Sequence, residues 1–186
     1  FSLGDVCGHG IDAAVKMSEA KQAIFAAACL GDPEPKSVLQ QANNVLFLNG
    51  HHVSMTTALY GIVDTARRTV TYASAGHHPP IFARPNGETE ILPNHGFPLG
   101  VEEDMPPRIK THEFTYEPGS MLLLYTDGLI EFSHDIFDGE ARLLAAAAES
   151  MRRKAEHPAK FIADRILGDV PPTDDVAVLT LSFQDD

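Results

Sequence analysis

Apolar and polar positions change rhythm along this chain. Near its start Ala13, Met17, Ala20, Ile24 and Ala28 recur at helical spacing, and Gly31-Asp32-Pro33 stops the run. Asp12 stands where an N-cap would, so the spacing predicts a helix over about 12–29. A second helix is predicted from about Ser37, with Val38, Ala42, Val45 and Leu46 on one face and an end before Asn49-Gly50. The period then shortens. Strand-like runs at 57–63, 70–73, 80–83, 89–92, 108–114 and 121–125 are separated by turn signals at Asp64, Pro85-Asn86-Gly87 and Glu117-Pro118-Gly119. Two more helices are predicted over 139–153 and 159–167, and alternation through Leu179, Leu181 and Phe183 marks a last strand over 176–183. Phe1-Ser2-Leu3 reads as a strand already in progress, ending at Gly4. Strands in the middle and helices at the flanks predict an α+β fold with helices covering antiparallel sheets. No repeat, low-complexity tract or composition break marks a boundary, so residues 1–186 read as one domain.

Charge narrows the partners. The 186 residues carry 26 acidic against 14 basic side chains, a net charge of −12. That surplus opposes both the counterion release on which nucleic-acid binding depends and attraction to anionic lipid, so neither partner is expected. With 44% hydrophobic residues and a mean hydropathy of −0.10, the chain can bury a real core. Cys7 and Cys29 are too few for a disulfide framework or a thiolate zinc site, which fits a reducing, cytoplasmic compartment. The longest apolar runs, 24–30 and 143–148, fall far short of the roughly 20 residues of a membrane-spanning helix. No signal peptide opens the chain.

Several chemistries can be tested against motifs. Gly8-His9-Gly10-Ile11-Asp12-Ala13 satisfies the G-x-G-x-x-A dinucleotide fingerprint between a strand and a helix. The fingerprint also requires a parallel strand after that helix, ending in an acidic residue. Here the helix runs instead into Asp32-Pro33-Glu34-Pro35 and a second helix, which argues against it. There is no G-x-x-x-x-G-K loop and no G-x-S-x-G elbow. An EF-hand aligned on Asp138-Gly139 would place His134 and Ile136 where carboxylates belong. The adjacent pairs His51-His52 and His77-His78 chelate poorly if on strands, because neighbours point to opposite faces, and they read first as loop residues. His9 and His77 remain candidates for the neighbourhood of an active site.

Aspartates at strand ends are more informative. Asp5 follows the opening strand, Asp127 follows the apolar run Met121-Leu122-Leu123-Leu124-Tyr125, and Asp174-Asp175 precede the last strand. Each alone reads as a turn former. If those strands are neighbours, their carboxylates converge at one end of a sheet, and such a cluster persists chiefly by holding cations. An all-oxygen set selects magnesium or manganese.

At these residues the sequence resembles the bacterial SpoIIE/RsbU branch of the metal-dependent PPM (protein phosphatase 2C-like) serine/threonine phosphatases. The resemblance is carried by Gly4-Asp5-Val6-Cys7-Gly8-His9-Gly10, Thr56-Thr57-Ala58 through Asp64, Ala75-Gly76-His77-His78-Pro79-Pro80, Pro98-Leu99-Gly100, Tyr125-Thr126-Asp127-Gly128 and Asp174-Asp175-Val176. These blocks occur in the family's order and span nearly the whole chain. The resemblance implies an αββα sandwich of two antiparallel sheets flanked by helices, with two Mn2+ or Mg2+ ions at one edge. It implies that Asp5 bridges the ions, that the Val6 carbonyl ligates one, and that Asp127 and Asp174 complete the protein's share. Asp175 would support the site, and Gly128 would let the backbone turn closely behind the ligand.

The reaction so implied is hydrolysis of phosphoserine or phosphothreonine by metal-activated water, with no side-chain nucleophile. Cys7, beside Asp5, reads better as a small packed residue than as a catalytic one. The implied substrate is a phosphorylated anti-anti-sigma protein in a partner-switching pathway, with a sensor domain upstream and a homodimer through the alanine-rich first helix as further expectations. Relatives carry one more aspartate, in a Gly-Gly-Asp block on a preceding strand. The chain is therefore expected to be a fragment lacking that ligand and its strand. The competing reading is a non-catalytic relative that binds a phosphoprotein without hydrolysing it.

Overall fold

The computed structural model describes residues 1–49, 55–103, 109–130, 136–168, 172 and 174–184, with the backbone alone at 136 and 137. In chain order the elements are β1 (Ser2–Val6), α1 (Gly10–Leu30), α2 (Pro35–Leu48), β2 (Thr56–Asp64), β3 (Thr69–Ala75), β4 (Ile81–Ala83), β5 (Thr89–Ile91), β6 (Thr111–Thr115), β7 (Met121–Tyr125), α3 (Ile136–Arg153), α4 (Pro158–Leu167) and β8 (Val178–Ser182). A single 3-10 turn, Asp127–Leu129, follows β7. Among the described residues the fold is thus α+β, with two four-stranded antiparallel sheets and four helices. The chain divides into two compact units, Phe1–His77 with Asn94–Thr115, and His78–Pro93 with Tyr116–Asp186.

The first unit holds the sheet β1-β2-β3-β6. One side of its core is built from small residues: Ala20, Ala23, Ile24 and Ala27 of α1 cluster with Val38, Leu39, Ala42 and Leu46 of α2 and with Ala58, Ala73 and Ala75 of the strands. Alanines on the strands let helix and sheet approach closely. α1 begins at Gly10, with His9 rather than Asp12 in the N-cap position and without a side-chain cap. The backbone there is turned by Gly8 and Gly10, at φ of 106° and 83°, so the chain enters the helix before reaching Asp12. Asp12 lies in the first turn, where its charge complements the helix dipole.

α2 starts two residues before Ser37, because Pro35 suits the first turn and Glu34 caps it by accepting a hydrogen bond from the Ser37 N–H at 2.8 Å. Val45, expected on the buried face, is 47% exposed. Its place is taken by Asn43, which is fully buried; its amide donates to the Glu102 carbonyl at 2.9 Å and accepts from the Gly100 N–H at 2.8 Å. Periodicity overlooks such a residue because it is polar.

Glu34 also accepts a short hydrogen bond from the Thr111 hydroxyl on β6. Burial pushes its carboxyl up, but the bonds from Thr111, Ser37 and the Lys36 backbone outweigh that and leave it below the usual glutamate value. A carboxylate held down in the folded state stabilises above its ordinary pKa of 4.5, and that contribution disappears as pH falls through the folded value. Replacing Glu34 by alanine is expected to cost about 1 kcal/mol at neutral pH. Thermal melts of wild type and Glu34→Ala should therefore converge in acid, and a constant difference down to pH 3 would refute the assignment.

The second unit holds the sheet β5-β4-β7-β8. All five residues of β7, which lies between β4 and β8, are buried. Leu143, Ala146 and Ala147 of α3 and Ile162 and Ile166 of α4 cluster with Ile81, Ala83, Met121, Leu123 and Tyr125. α3 begins at Ile136, three residues before the expected start, and Gly139 is needed inside it because a Cβ there would stand 2.2 Å from the Ile130 carbonyl oxygen. The run expected over 108–114 pairs only from Thr111; Ile109 is buried outside the strand, and Arg108 lies outside the described residues.

Candidate metal centre

Asp5 does not follow a strand end; it sits within β1, opposite Thr57 of β2, and pairing continues through Val6 opposite Thr56. Gly4 makes this close pairing feasible, since a Cβ there would lie 2.7 Å from the Thr57 carbonyl oxygen. Beyond Val6 the Cys7 N–H still donates to the Met55 carbonyl at 3.1 Å. Cys7 itself is exposed, which corrects its reading as a packed residue. His9 is exposed as well, at the start of α1.

Behind Thr57 stands a locked turn. His77 is 1% exposed, and its Nδ1 lies 2.9 Å from the Thr57 hydroxyl. The His77 N–H donates to Ser74 Oγ at 3.2 Å, and Asn94 Nδ2 donates a short bond to the His77 carbonyl. Gly76, at φ 72°, turns the chain where a Cβ would press on Pro98 at 2.8 Å. His77 is therefore far from an ordinary polar loop residue. Histidine next to histidine gave no sign of this, and the signal lay in the flanking Gly76 and Pro79-Pro80. His51-His52 lie outside the described residues.

In the second unit Asp127 and Asp174 belong to neighbouring strands. β7 pairs with β8 so that Tyr125 faces Val178, which puts the exit of β7 beside the entry to β8. Thr126, which sequence reasoning passed over, links the two: its hydroxyl donates to the Asp175 carbonyl at 3.1 Å and accepts from the Ala177 N–H at 2.9 Å. Asp127 Oδ1 accepts from the Gly128 N–H at 2.9 Å, and Asp174 Oδ1 accepts from the Asp175 N–H at 2.8 Å. Among the described residues the second oxygen of each carboxylate accepts no hydrogen bond and is open to a cation. Asp127 is half-buried, while Asp174 and Asp175 are exposed.

Gly128 sits close against the backbone that leads into β8. A Cβ there would stand 2.6 Å from the Asp175 carbonyl oxygen and 3.2 Å from that of Asp174. Gly128→Ala is expected to push these backbones apart and lower stability by about 2 kcal/mol, read as a reduced urea midpoint. An unchanged midpoint would mean that the contact relaxes freely.

The sheet order corrects one sequence expectation. β7 and β8 bring Asp127 and Asp174 to the same end of one sheet, but β1, and Asp5 with it, belongs to the other. In ligand chemistry alone, each of the expected donors, the carboxylates of Asp5, Asp127 and Asp174 and the Val6 carbonyl, offers oxygen, which a hard cation takes. Among the described residues no group of three or more His, Cys, Asp or Glu stands together in a way that could hold a metal ion.

The family model for Stage II sporulation protein E (SpoIIE) matches residues 1–184. This chain belongs to the SpoIIE family. Phosphoserine phosphatase RsbU of Bacillus subtilis (strain 168) is 30% identical to this SpoIIE-family chain over 169 residues, covering 90% of it and 50% of the relative. The chain thus spans half the length of that relative. Among solved structures, the RsbU and RsbW domains of Rv1364c from Mycobacterium tuberculosis superpose with a TM-score of 0.82 at 22% identity, over 98% of this chain and 51% of that one. The catalytic domain of the serine threonine protein phosphatase PstP, solved with two manganese ions, superposes with a TM-score of 0.66 at 14% identity, over 99% of this chain and 87% of that one. The fold is accordingly PP2C-like. Among the described residues no helix is long and apolar enough to cross a membrane.

Proposed function

We propose that residues 1–186 form a metal-dependent protein serine/threonine phosphatase domain of the αββα type, acting on phosphoserine or phosphothreonine of a regulatory protein of the anti-anti-sigma class. In this reading Asp5, the Val6 carbonyl, Asp127 and Asp174 hold two Mn2+ or Mg2+ ions. When bound, such a pair lowers the pKa of water and offsets charge on a transferring phosphoryl group. The rest of the work falls to the chain. β1–β2 pairing fixes Asp5 against Thr57, and His77 holds Thr57 from behind. Thr126 ties the Asp127 turn to the backbone of Asp175, and each carboxylate keeps one oxygen on the N–H that follows it.

The observation that carries the reading is this pair of aspartates, oriented by backbone N–H groups at adjacent strand ends, in a chain of the SpoIIE family. Membership, with a relative named as a phosphoserine phosphatase, supports a phosphoprotein as the substrate class. The test is incubation of the protein with a phosphoserine-bearing anti-anti-sigma protein, followed by mass analysis of that protein. Catalytic loss of phosphate supports the enzyme. Stoichiometric binding without loss of phosphate would show a phosphoprotein-binding module instead.

A further inference from the structure

Within the first unit, a second cluster of metal-ligating side chains stands apart from Asp5. His112 lies on β6 opposite Tyr72 of β3, and His95 approaches it from the segment that follows Leu92. His95 Nδ1 and His112 Nε2 are 3.4 Å apart. Three rings form a column: Tyr72 to His112 at 5.3 Å between centroids, and His112 to His95 again at 5.3 Å, inclined by 28°. Tyr72 is 1% exposed and Phe114 packs on its edge, so the column is anchored in the sheet at one end and open to water at the other.

From this geometry we infer that His95 and His112 form a two-imidazole site for a divalent late transition-metal ion, Zn2+ above all. Zinc takes imidazole nitrogen at about 2.0–2.1 Å, and two such ligands in a tetrahedral arrangement stand about 3.3–3.4 Å apart, the separation found here. Imidazole also suits zinc and copper far better than it suits the magnesium or manganese expected at the aspartates, so the two sites differ in ligand chemistry. Burial, with the neighbouring charges of His95 and Lys110, keeps His112 below the usual histidine value and hence in its ligating neutral form. Two protein ligands leave the remaining positions to water.

The segment bearing His95 also carries Asn94, which holds the His77 carbonyl, and Gly96, which packs on Ser74. An ion on the two histidines therefore clips that segment to β6.

The test uses metal-free protein and needs no activity. Cu2+ added at one equivalent, followed by electron paramagnetic resonance, should show coupling to two imidazole nitrogens, and either His95→Gln or His112→Gln should remove one of them and weaken Cu2+ and Zn2+ uptake at least about tenfold. His157→Gln, at the N-cap of α4 in the other unit, should change neither. Zn2+ should raise the melting temperature of wild type and not that of His112→Gln. A Cu2+ spectrum and affinity indifferent to both substitutions, or no uptake below about 100 μM Zn2+, would overturn the site and leave a hydrogen-bonded ring stack. Because every readout is binding or stability, failure here is distinct from failure of the phosphatase reading.

Discussion

Asp127→Asn is expected to lower kcat/KM for phosphate release at least about 100-fold while leaving the melting temperature within about 2 °C of wild type. The two halves of that expectation come from different oxygens of one carboxylate. Oδ1 is structural: it accepts the Gly128 N–H at 2.9 Å and holds the 3-10 turn, and an asparagine carbonyl oxygen can do the same. Oδ2 is the proposed ligand, and the substitution replaces it with an uncharged amide. The same reasoning applies to Asp174, whose Oδ1 is held by the Asp175 N–H. Asp12→Asn is the control, because that carboxylate sits in the first turn of α1, where it complements the helix dipole and is no part of the proposed ligand set. Equal activity in wild type and Asp127→Asn would remove Asp127 from the site.

The largest expected loss of stability lies at Gly96. A Cβ there would fall 1.8 Å from the Ser74 carbonyl oxygen, 2.6 Å from its carbon and 3.0 Å from the Ala75 Cα. These are backbone atoms of β3, a strand paired on both sides, with β2 and with β6, so no flexible side chain can yield. Gly96→Ala should cost about 3 kcal/mol, which in a chain of this size lowers the melting temperature by roughly 10 °C. A melt within about 2 °C of wild type would show that the segment over β3 repacks at little cost. The neighbouring His77 contacts, through Ser74 and Asn94, should loosen in the same variant.

Much of this could be read from the sequence where local pattern and burial coincide. β7 is apolar at every position because it is central, and its length and flanking turns mark it plainly. The helical face of α2 was legible through Val38, Ala42 and Leu46, whose spacing of four tracks the buried side. Periodicity failed where a polar residue does the packing, as at Asn43, and where an apolar one faces water, as at Val45. α1 shows why: Ile11, Val15, Phe25 and Leu30 are exposed, so apolar character is not confined to its buried side.

Two antiparallel sheets were expected from the resemblance, but which strand joins which sheet was not legible, because pairing such as Asp5 with Thr57 joins residues far apart in sequence and leaves no local trace. The aspartates proposed for the site were picked out by their position beside turns, and His77 as a candidate neighbour of the site, but Thr57 and Thr126 were assigned no part in holding them. Their roles depend on contacts such as the bond from Thr126 to Asp175, which spans 49 residues.

Metal-dependent phosphoester hydrolysis stands or falls on the dependence of phosphate release on Mn2+. With a phosphoserine protein as substrate, release should be negligible in excess chelator, rise with added Mn2+ to a plateau, and return to baseline when chelator is restored. Release that is unaffected by chelator, or no release at any Mn2+ concentration, would rule out metal-dependent hydrolysis by this chain.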